Sequence, residues 1–407
     1  MTTIYNVAND LGYSSMKISI NDKVEVIPSV IGIQRKQNIS KPVIFESEQA
    51  KKDYLAELAK NMDVTITSPS IKLNGRFLVG ESALTSGIPI RSFDVNDFDG
   101  KSESDLALIL NLTRIAAQVI SDAAENDDSL TDIIKANVNL ATALPITEGK
   151  RDGVLEDYEQ RYLKGKHLIS FMNFEQPITV ELTFKNVYVG LEGEIAQLKI
   201  VNADKELAKE IKRDFDNTYP TVKDQITAED LTQSQNVLGI DIGEHTTDFS
   251  VIIDGHSNAN ASTSLEVGYG NVLEEAVELL QGDKINITNR SELTLFMSKQ
   301  VSPLARKRQD YVKQVVFDQL DPFIDQIISS TSETMRRAGS NIELVYVYGG
   351  GSIPLQETNM RERLATKLNS FSGEFDIPIV WISADRARVL NREGLQLVVK
   401  NQFNTTK

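Results

Sequence analysis

The sequence predicts an α/β protein of two similar halves, each a mixed sheet with helices on both faces. Two segments, residues 10–17 and 241–248, share one pattern: Asp-x-Gly and small polar residues connect two β-like runs. Amphipathic helical stretches alternate with such runs, as in α/β folds. The chain has 407 residues, enough for two or three domains of about 100–200 residues each. The repeated hairpin is the main evidence that the two halves are alike.

The first half is predicted to contain a hairpin, an inserted subdomain and a long buried helix. Apolar alternation indicates the strands, and apolar residues spaced three or four apart indicate the helices. The charged run 151–166 is expected to be solvated. The predicted elements are a hairpin over 4–20 with its turn at Gly12, short strands at 24–27, 30–33 and 77–79, helices over 47–60 and 104–124, and strands over 136–144, 178–184 and 187–189.

The second half is predicted to repeat the hairpin and to add a helical insertion. Residues 202–235 are polar and are expected to be loop-rich, with one helix. The predicted elements are a helix over 205–215, strands over 237–240 and 249–253, a mainly helical region over 272–338, a strand over 344–348 that leads into three glycines, and a closing helix over 387–399.

Composition excludes several classes of function. The net charge of −15 argues against broad electrostatic binding to nucleic acid or an anionic membrane. The chain has no cysteine, which excludes disulfides, thiolate zinc sites and cysteine nucleophiles. No run reaches the roughly 18 apolar residues of a membrane span, and the N-terminus does not resemble a signal peptide. We therefore expect a cytoplasmic protein that contacts DNA only indirectly and has no membrane partner.

Three separate segments have the composition of phosphate-binding loops. In the first, Gly12 suits a tight turn, Ser14 offers a hydroxyl and Lys17 adds a positive charge. The second, residues 241–248, has the same design, and the third is a glycine triplet directly after a buried strand, where backbone can approach a ligand closely. Each segment taken alone is usually just a turn or a packing feature. Their order and flanking strands together predict a phosphate site.

Two other nucleotide signatures fail. Residues 100–102 end like a P-loop, but Val95 stands where the first glycine is required. Gly268 and Gly270 begin like a dinucleotide fingerprint, but Leu273 replaces the third glycine. We reject both motifs as evidence for those folds.

The three loops resemble the phosphate-1, phosphate-2 and adenosine motifs of the actin, sugar-kinase and heat-shock ATPase superfamily. Within it the chain is most similar to the bacterial actin-like ParM proteins that segregate plasmids; residues 144–148 and 187–192 support this. The resemblance implies an actin-like fold of two α/β halves around a nucleotide cleft. Half I would be residues 1–190, with an insertion at about 31–95 and the returning segment 385–407. Half II would be residues 191–384, with a helical insertion at about 276–338.

The resemblance also implies roles for individual residues. Asp10 and Asp241 would hold Mg²⁺ through water, and Lys17 would contact the β- or γ-phosphate. Glu192 would orient the attacking water, so it is assigned with both aspartates to catalysis, and Glu148 is the rival for its role. The remaining residues expected to bind the nucleotide, ATP or GTP, are Gly12, Tyr13, Ser14, Ser15, Gly243, His245, Thr246, Thr247, Gly268, Gly270, Asn271, Gly349, Gly350, Gly351 and Ser352.

The second phosphate loop departs from the family pattern. Glu244 and His245 occupy positions where small residues are usual. A carboxylate beside a triphosphate is repulsive unless it points away. The direction in which the Glu244 side chain points therefore decides whether this loop can accept a triphosphate.

The function implied is an ATPase that assembles into filaments and segregates plasmid DNA through a DNA-binding adaptor of ParR type. A sugar- or acetate-type kinase is the alternative, together with a monomeric chaperone-like or cell-division ATPase. A kinase needs a catalytic aspartate facing a small acceptor, which no segment clearly supplies. A degenerate scaffold that binds nucleotide without hydrolysing it is a fourth possibility.

Overall fold

The computed structural model describes residues 3–93, 100–339, 341–373 and 376–403. The chain divides into two compact units. Unit 1 comprises Met1–Leu144, Glu148–Leu191 and Asn391–Lys407, and unit 2 comprises Pro145–Thr147 and Glu192–Leu390. The predicted limits of halves I and II remain predictions, and the insertion boundary at 95 and the tail 404–407 lie outside the described residues.

Unit 1 is built on a ten-stranded mixed sheet. Its strand order is β3-β2-β1-β8-β10-β9-β5-β6-β4-β7, so the strands of the predicted insertion extend the same sheet. β1 pairs antiparallel with β2 and parallel with β8, which in turn is parallel to β10. The strands are β1 (Ile4–Leu11), β2 (Ser15–Ile20), β3 (Lys23–Pro28), β4 (Val30–Gln34), β5 (Met62–Thr67), β6 (Arg76–Val79), β7 (Ile90–Ser92), β8 (Ile134–Leu144), β9 (His167–Phe171) and β10 (Ile178–Leu191).

Unit 2 contains a six-stranded sheet that repeats the central arrangement. β11 pairs antiparallel with β12 and parallel with β15, as β1 does with β2 and β8. β13 and β14 pair with β12, and β16 is parallel to β15. The strands are β11 (Val237–Ile242), β12 (Thr247–Ile253), β13 (His256–Ser257), β14 (Thr263–Leu265), β15 (Leu344–Tyr348) and β16 (Ile379–Trp381).

Helices accompany both sheets, with short 3₁₀ turns at Lys36–Asn38 and Leu58–Lys60 and a π turn at Val399–Phe403. They are α1 (Glu48–Ala56), α2 (Glu81–Thr85), α3 (Gly100–Glu103), α4 (Asp105–Glu125), α5 (Ile146–Gly149), α6 (Val154–Leu163), α7 (Glu194–Val201), α8 (Lys205–Thr218), α9 (Ala228–Thr232), α10 (Tyr269–Gly282), α11 (Arg290–Ser298), α12 (Pro303–Asp318), α13 (Leu320–Ala338), α14 (Ser352–Leu355), α15 (Met360–Ser372), α16 (Ala384–Ala387) and α17 (Leu390–Val398).

The long helix α4 is the centre of the unit 1 core. Its apolar residues are almost all buried, and most of the buried apolar residues of β1, β8 and β10 belong to the same cluster. It is the one helix among the described residues that is long and apolar enough to cross a membrane, but 89% of the relevant window is buried inside the protein. Its apolar character is therefore explained by packing.

Two local predictions are wrong. The charged run 151–166 is not simply solvated, because α6 buries Tyr158 and Tyr162 on one face. These residues are four apart and meet on one side of the helix, where their hydroxyls are 3.0 Å apart. The stretch 202–235 contains α9 as well as α8, and α9 begins with a reciprocal hydrogen-bonded cap between Thr227 and Asp230.

Candidate functional site

The first predicted phosphate loop lies in unit 1, between β1 and β2. The Gly12 N–H donates to the Ser15 carbonyl over 3.0 Å and closes the turn. A Cβ on Gly12 would lie 2.8 Å from that same oxygen, closer than side-chain carbons come. Ser29, which the sequence analysis missed, donates from its hydroxyl to the Gly12 carbonyl and from its N–H to the Ser14 carbonyl. The turn is therefore held from two sides.

Asp10 and Lys17 face each other across this hairpin. They are register partners, and the Lys17 ammonium lies 2.9 Å from the Asp10 carboxylate. The Asp10 side chain is 8% exposed and that of Lys17 is 22% exposed. Burial strengthens the Coulomb attraction between the two groups, and it also costs free energy because both are partly removed from water. The hairpin thus presents a partly exposed cation beside a buried anion.

The Tyr13 ring packs within unit 1. It meets the Phe93 ring edge to face at 5.6 Å between centroids, and the Lys101 ammonium lies 4.9 Å from its centroid. The latter arrangement is a cation–π contact. The ring of Tyr13 therefore has protein partners beside the loop.

The second predicted loop lies in unit 2, between β11 and β12, and has the same backbone geometry as the first. The Gly243 N–H donates to the Thr246 carbonyl over 2.9 Å, and a Cβ on Gly243 would lie 2.9 Å from that oxygen. Asp241 is the register partner of Asp248. The internal repeat predicted from sequence is therefore present in backbone detail.

Asp248 is a buried acceptor that organises the second loop. One carboxylate oxygen accepts from the Ile146 N–H at 3.0 Å and from the Ser264 hydroxyl. The other accepts from the Thr246 hydroxyl at 2.9 Å. The Thr247 hydroxyl donates to the Val267 carbonyl. Hydroxyl and amide donors thus stabilise the Asp248 charge, and Asp248 anchors the short segment Pro145–Thr147 to unit 2.

The glycine triplet follows β15 and packs directly on the second hairpin. Gly349 has a φ of +89°, and a Cβ there would lie 2.3 Å from an Asp241 carboxylate oxygen. Gly351 donates to the Ile242 carbonyl over 2.8 Å. The Ser352 hydroxyl donates to the Gly349 carbonyl over 2.8 Å. Glycine is therefore required at position 349, both for its conformation and to make room for Asp241.

Residues 268–271 form a brace for the second loop at the start of α10. Tyr269 and Gly270 donate their N–H groups to the carbonyls of Gly243 and Glu244, over 3.0 and 2.6 Å. The Asn271 side chain accepts from the Gly268 N–H at 2.9 Å and caps the helix. These two backbone hydrogen bonds fix the second phosphate loop against the start of α10.

The side chains of Glu244 and His245 both have charged neighbours. A Glu244 carboxylate oxygen lies 3.4 Å from the Arg290 guanidinium. The His245 Nε2 lies 3.9 Å from a Glu266 carboxylate oxygen. Arg290 was missed because it stands 46 positions after Glu244 in a region without a motif.

The two candidate catalytic glutamates differ in their surroundings. Glu192 is half-buried and directly follows β10, while the neighbouring Gly193 accepts a hydrogen bond from the Tyr348 hydroxyl at 3.0 Å. Glu148 is buried, and its carboxylate accepts from the N–H groups of Lys101 and Ser102 at 3.2 and 2.7 Å. The segment 100–102, which resembles the end of a P-loop, therefore binds a carboxylate of the protein itself.

The structure places the predicted residues in two groups. Unit 2 brings Asp241, the 243–246 loop, residues 268–271 and the 349–352 loop together. Unit 1 holds Asp10, residues 12–15 and Lys17. Within the described ranges, no three His, Asp or Glu side chains form a metal cluster. Asp241, whose carboxylate occupies a space that Gly349 leaves open, fits a Mg²⁺ ion that keeps most of its ligands as water and phosphate.

Comparison with known proteins agrees with this architecture. Residues 8–194 match the family of actin-like proteins, N-terminal domain, and residues 239–361 match the C-terminal family of the archaeal actin homologue MreB-like. No curated protein matches at the sequence level.

Solved structures share the fold along the whole chain. The actin-like protein Alp7A is 17% identical, with a TM-score of 0.67 and 99% of each chain covered. An archaeal actin homologue is 13% identical, with a TM-score of 0.60, 98% of this chain and 99% of that chain covered. Bacillus thuringiensis ParM with ATP is 16% identical, with a TM-score of 0.57, 99% of this chain and 100% of that chain covered. The chain therefore has the fold of the actin-like proteins, and residues 8–194 match the N-terminal family of these proteins.

Proposed function

We propose that this protein is a nucleotide-dependent, polymerising ATPase whose filaments segregate plasmid DNA. The observation that carries the proposal is the repeated Asp-x-Gly hairpin, with one copy in each unit and a glycine triplet packed on the second. The similarity to ParM, one of whose structures contains ATP, supports it. The proposal includes a cytoplasmic location.

In this proposal both phosphate loops serve the same nucleotide. The Lys17 ammonium contacts the β- or γ-phosphate, and Asp10 and Asp241 hold Mg²⁺ through water. The ion, when bound, neutralises phosphate charge and orients the triphosphate. The residues around Gly349, which lack side chains, allow the nucleoside to approach the backbone. ATP and GTP both satisfy these contacts.

Hydrolysis requires a group that orients water for attack on the γ-phosphorus. The water oxygen forms the new bond, the bond to the bridging oxygen breaks, and the water proton moves to a carboxylate. We assign this role to Glu192, with Glu148 as the rival. Glu192 is half-buried at the end of β10, and the buried Glu148 carboxylate accepts hydrogen bonds from two backbone N–H groups.

The proposed partners are other copies of the chain and a DNA-binding adaptor of ParR type. A net charge of −15 disfavours direct attraction to the DNA backbone, so the adaptor would carry the DNA contact. Change in the bound nucleotide would alter the subunit contacts and limit filament lifetime.

The test is light scattering of the purified protein with Mg²⁺ and ATP, GTP, ADP or no nucleotide, with electron microscopy of the same samples. We expect scattering to rise only with a triphosphate and to fall as phosphate is released, with filaments on the grid. Steady turnover without assembly would contradict the proposal and favour a kinase or a monomeric ATPase. Nucleotide binding without turnover would favour a scaffold.

A comparison of Glu192→Ala with Glu148→Ala tests the catalytic assignment. Glu192→Ala is expected to slow phosphate release about a hundredfold while leaving nucleotide binding and assembly intact. Unchanged phosphate release in Glu192→Ala, together with a loss in Glu148→Ala, would transfer the role to Glu148. The melting temperature of each variant separates a loss of chemistry from a loss of fold.

A further inference from the structure

We propose that Arg290 is a positioning residue that neutralises Glu244 and thereby allows the second phosphate loop to accept a triphosphate. This inference rests on the proposed function and adds to it a residue outside every motif. It concerns the charge of the loop and not its backbone, which Gly243 and Thr246 already define.

The Glu244 carboxylate is a charge problem for this loop. The residue directly follows Gly243, and its carbonyl is fixed by a 2.6 Å hydrogen bond from the Gly270 N–H. The backbone therefore cannot easily move the side chain away. A like charge about 8 Å from a phosphate would weaken binding roughly thirtyfold at the effective dielectric of a protein surface, and less once salt screens the two charges.

Arg290 supplies the opposite charge. It is the first residue of α11, and its guanidinium lies 3.4 Å from Glu244 and 3.3 Å from Glu274 of α10. Its side chain is 22% exposed and that of Glu244 is 24% exposed. Partial burial reduces screening by salt, so the pair is stronger than a fully exposed one.

The surrounding chain is shaped to hold the guanidinium there. A Cβ on Gly270 would lie 2.5 Å from an Arg290 nitrogen, so the absence of a side chain at position 270 leaves room for it. Asn289 caps α11 by accepting from the Glu292 N–H at 2.9 Å, which fixes the start of the helix beside the loop.

Two carboxylates share this one guanidinium. Glu274 is 44% exposed and competes with Glu244 for Arg290. The three side chains together keep one net negative charge. Removing the Glu274 charge should therefore leave Arg290 entirely to Glu244 and tighten triphosphate binding.

The experiment is isothermal titration of the full chain with Mg²⁺-ATP, Mg²⁺-ADP and adenosine, at low and high salt. We expect Arg290→Ala to weaken ATP binding about tenfold, ADP binding less and adenosine binding not at all. The Arg290→Ala Glu244→Gln double variant should recover to within about threefold of the wild type, and the defect of the single variant should shrink at high salt. Arg290→Lys should keep most of the affinity.

Two further variants make the result interpretable. Arg363→Ala removes an arginine of similar exposure that pairs with Asp321 and Asp325, and it should bind ATP like the wild type. Glu274→Gln should tighten ATP binding about two- to threefold and keeps the inference testable if Arg290→Ala does not fold.

The possible outcomes are distinct. An equal loss for ATP and adenosine in Arg290→Ala, or no recovery in the double variant, would overturn the inference and leave Arg290 a structural residue. Unchanged ATP affinity in both Arg290→Ala and Glu274→Gln would overturn it as well. If the wild type itself bound no Mg²⁺-nucleotide, the proposed function would fail first. If the wild type binds Mg²⁺-ATP but the Arg290 and Glu244 substitutions change its affinity independently of each other, this inference alone is rejected and the proposed function stands.

Discussion

The hairpin β1–β2 of unit 1 and the hairpin β11–β12 of unit 2 have nearly the same backbone and different charges. Their turns close with hydrogen bonds of 3.0 and 2.9 Å. A Cβ added at the glycine of either turn would lie within 2.9 Å of a carbonyl oxygen. The aspartates occupy equivalent places, seven residues before the last residue of each motif. Conformation is thus repeated more closely than chemistry.

The difference lies at the position opposite each aspartate. Asp10 faces Lys17, whereas Asp241 faces Asp248. Two carboxylates opposite each other on paired strands repel unless other groups stabilise them. In unit 2 the stabilising groups are the Ile146 N–H and the hydroxyls of Ser264 and Thr246. The hairpin of unit 1 is therefore suited to supply a cation for phosphate, and the hairpin of unit 2 is suited to supply a carboxylate for a metal shell.

The largest expected effect is that of Asp241→Ala. The change removes the carboxylate assigned to the Mg²⁺ shell, so we expect Mg²⁺-dependent nucleotide affinity and turnover to fall about a hundredfold. Titration of ATP at several Mg²⁺ concentrations measures it. Asp10→Ala is the matched change in the other hairpin, and its effect should be smaller because Lys17 remains beside the phosphates. Wild-type Mg²⁺-nucleotide affinity in Asp241→Ala would reject the metal assignment.

Asp248→Ala and Lys17→Ala should separate stability from binding. Asp248 is 2% exposed, and its loss leaves three donors without their acceptor, which costs about 3 kcal/mol. Lys17→Ala should cost about 1 kcal/mol, since that side chain is partly solvated, but should weaken ATP binding about tenfold. Fluorescence melting of Trp381, the only tryptophan, reports on unit 2 and measures the loss in Asp248→Ala, and hydrogen exchange in β1 and β2 measures the loss in Lys17→Ala. A Lys17→Ala variant less stable than Asp248→Ala would contradict a mainly structural role for Asp248 and a mainly phosphate-binding role for Lys17.

The sequence predicted the hairpins and the strand before the glycine triplet because these features are local. Gly12 and Gly243 are needed by the turn itself, and alternating apolar residues define the strands on each side. The missing parts depend on contacts between distant positions. Ile146 reaches Asp248 across 102 positions, and Arg290 meets Glu244 only because α11 begins beside the loop. The buried side of α6 was missed because charged residues outnumber its two tyrosines.

Gly12→Ala and Gly243→Ala test whether the two turns are equivalent. In each case the new Cβ would lie within 2.9 Å of a backbone oxygen, so the turn must open at a cost of about 2 kcal/mol. Gly282→Ala, at the end of α10, is the matched control, because a Cβ there has nothing within 4 Å. We expect similar losses in melting temperature for the two turn variants and none for the control. Clearly unequal losses would show that the two turns, although alike in conformation, do not contribute equally to stability.

The smallest effect is a pH response that should distinguish the units. His167 of unit 1 is fully buried between the Ser68 hydroxyl and the Tyr162 carbonyl, at 2.8 Å from each, and burial lowers its pKa. The unfolded chain takes up this proton as the pH falls below about 6.5 and the folded chain does not, so stability is complete above that pH and decreases below it. The loss is at most about 1.4 kcal/mol per pH unit and ends below the folded pKa. The opening free energies of unit 1 amides, obtained from hydrogen exchange after division by the intrinsic exchange rate at each pH, should therefore decrease from about pH 7.5 to 5.5, while melting followed by Trp381 in unit 2 should change less. His167→Gln should abolish this dependence and His256→Gln, at an exposed position in unit 2, should keep it. An unchanged pH response in His167→Gln would assign it to another group.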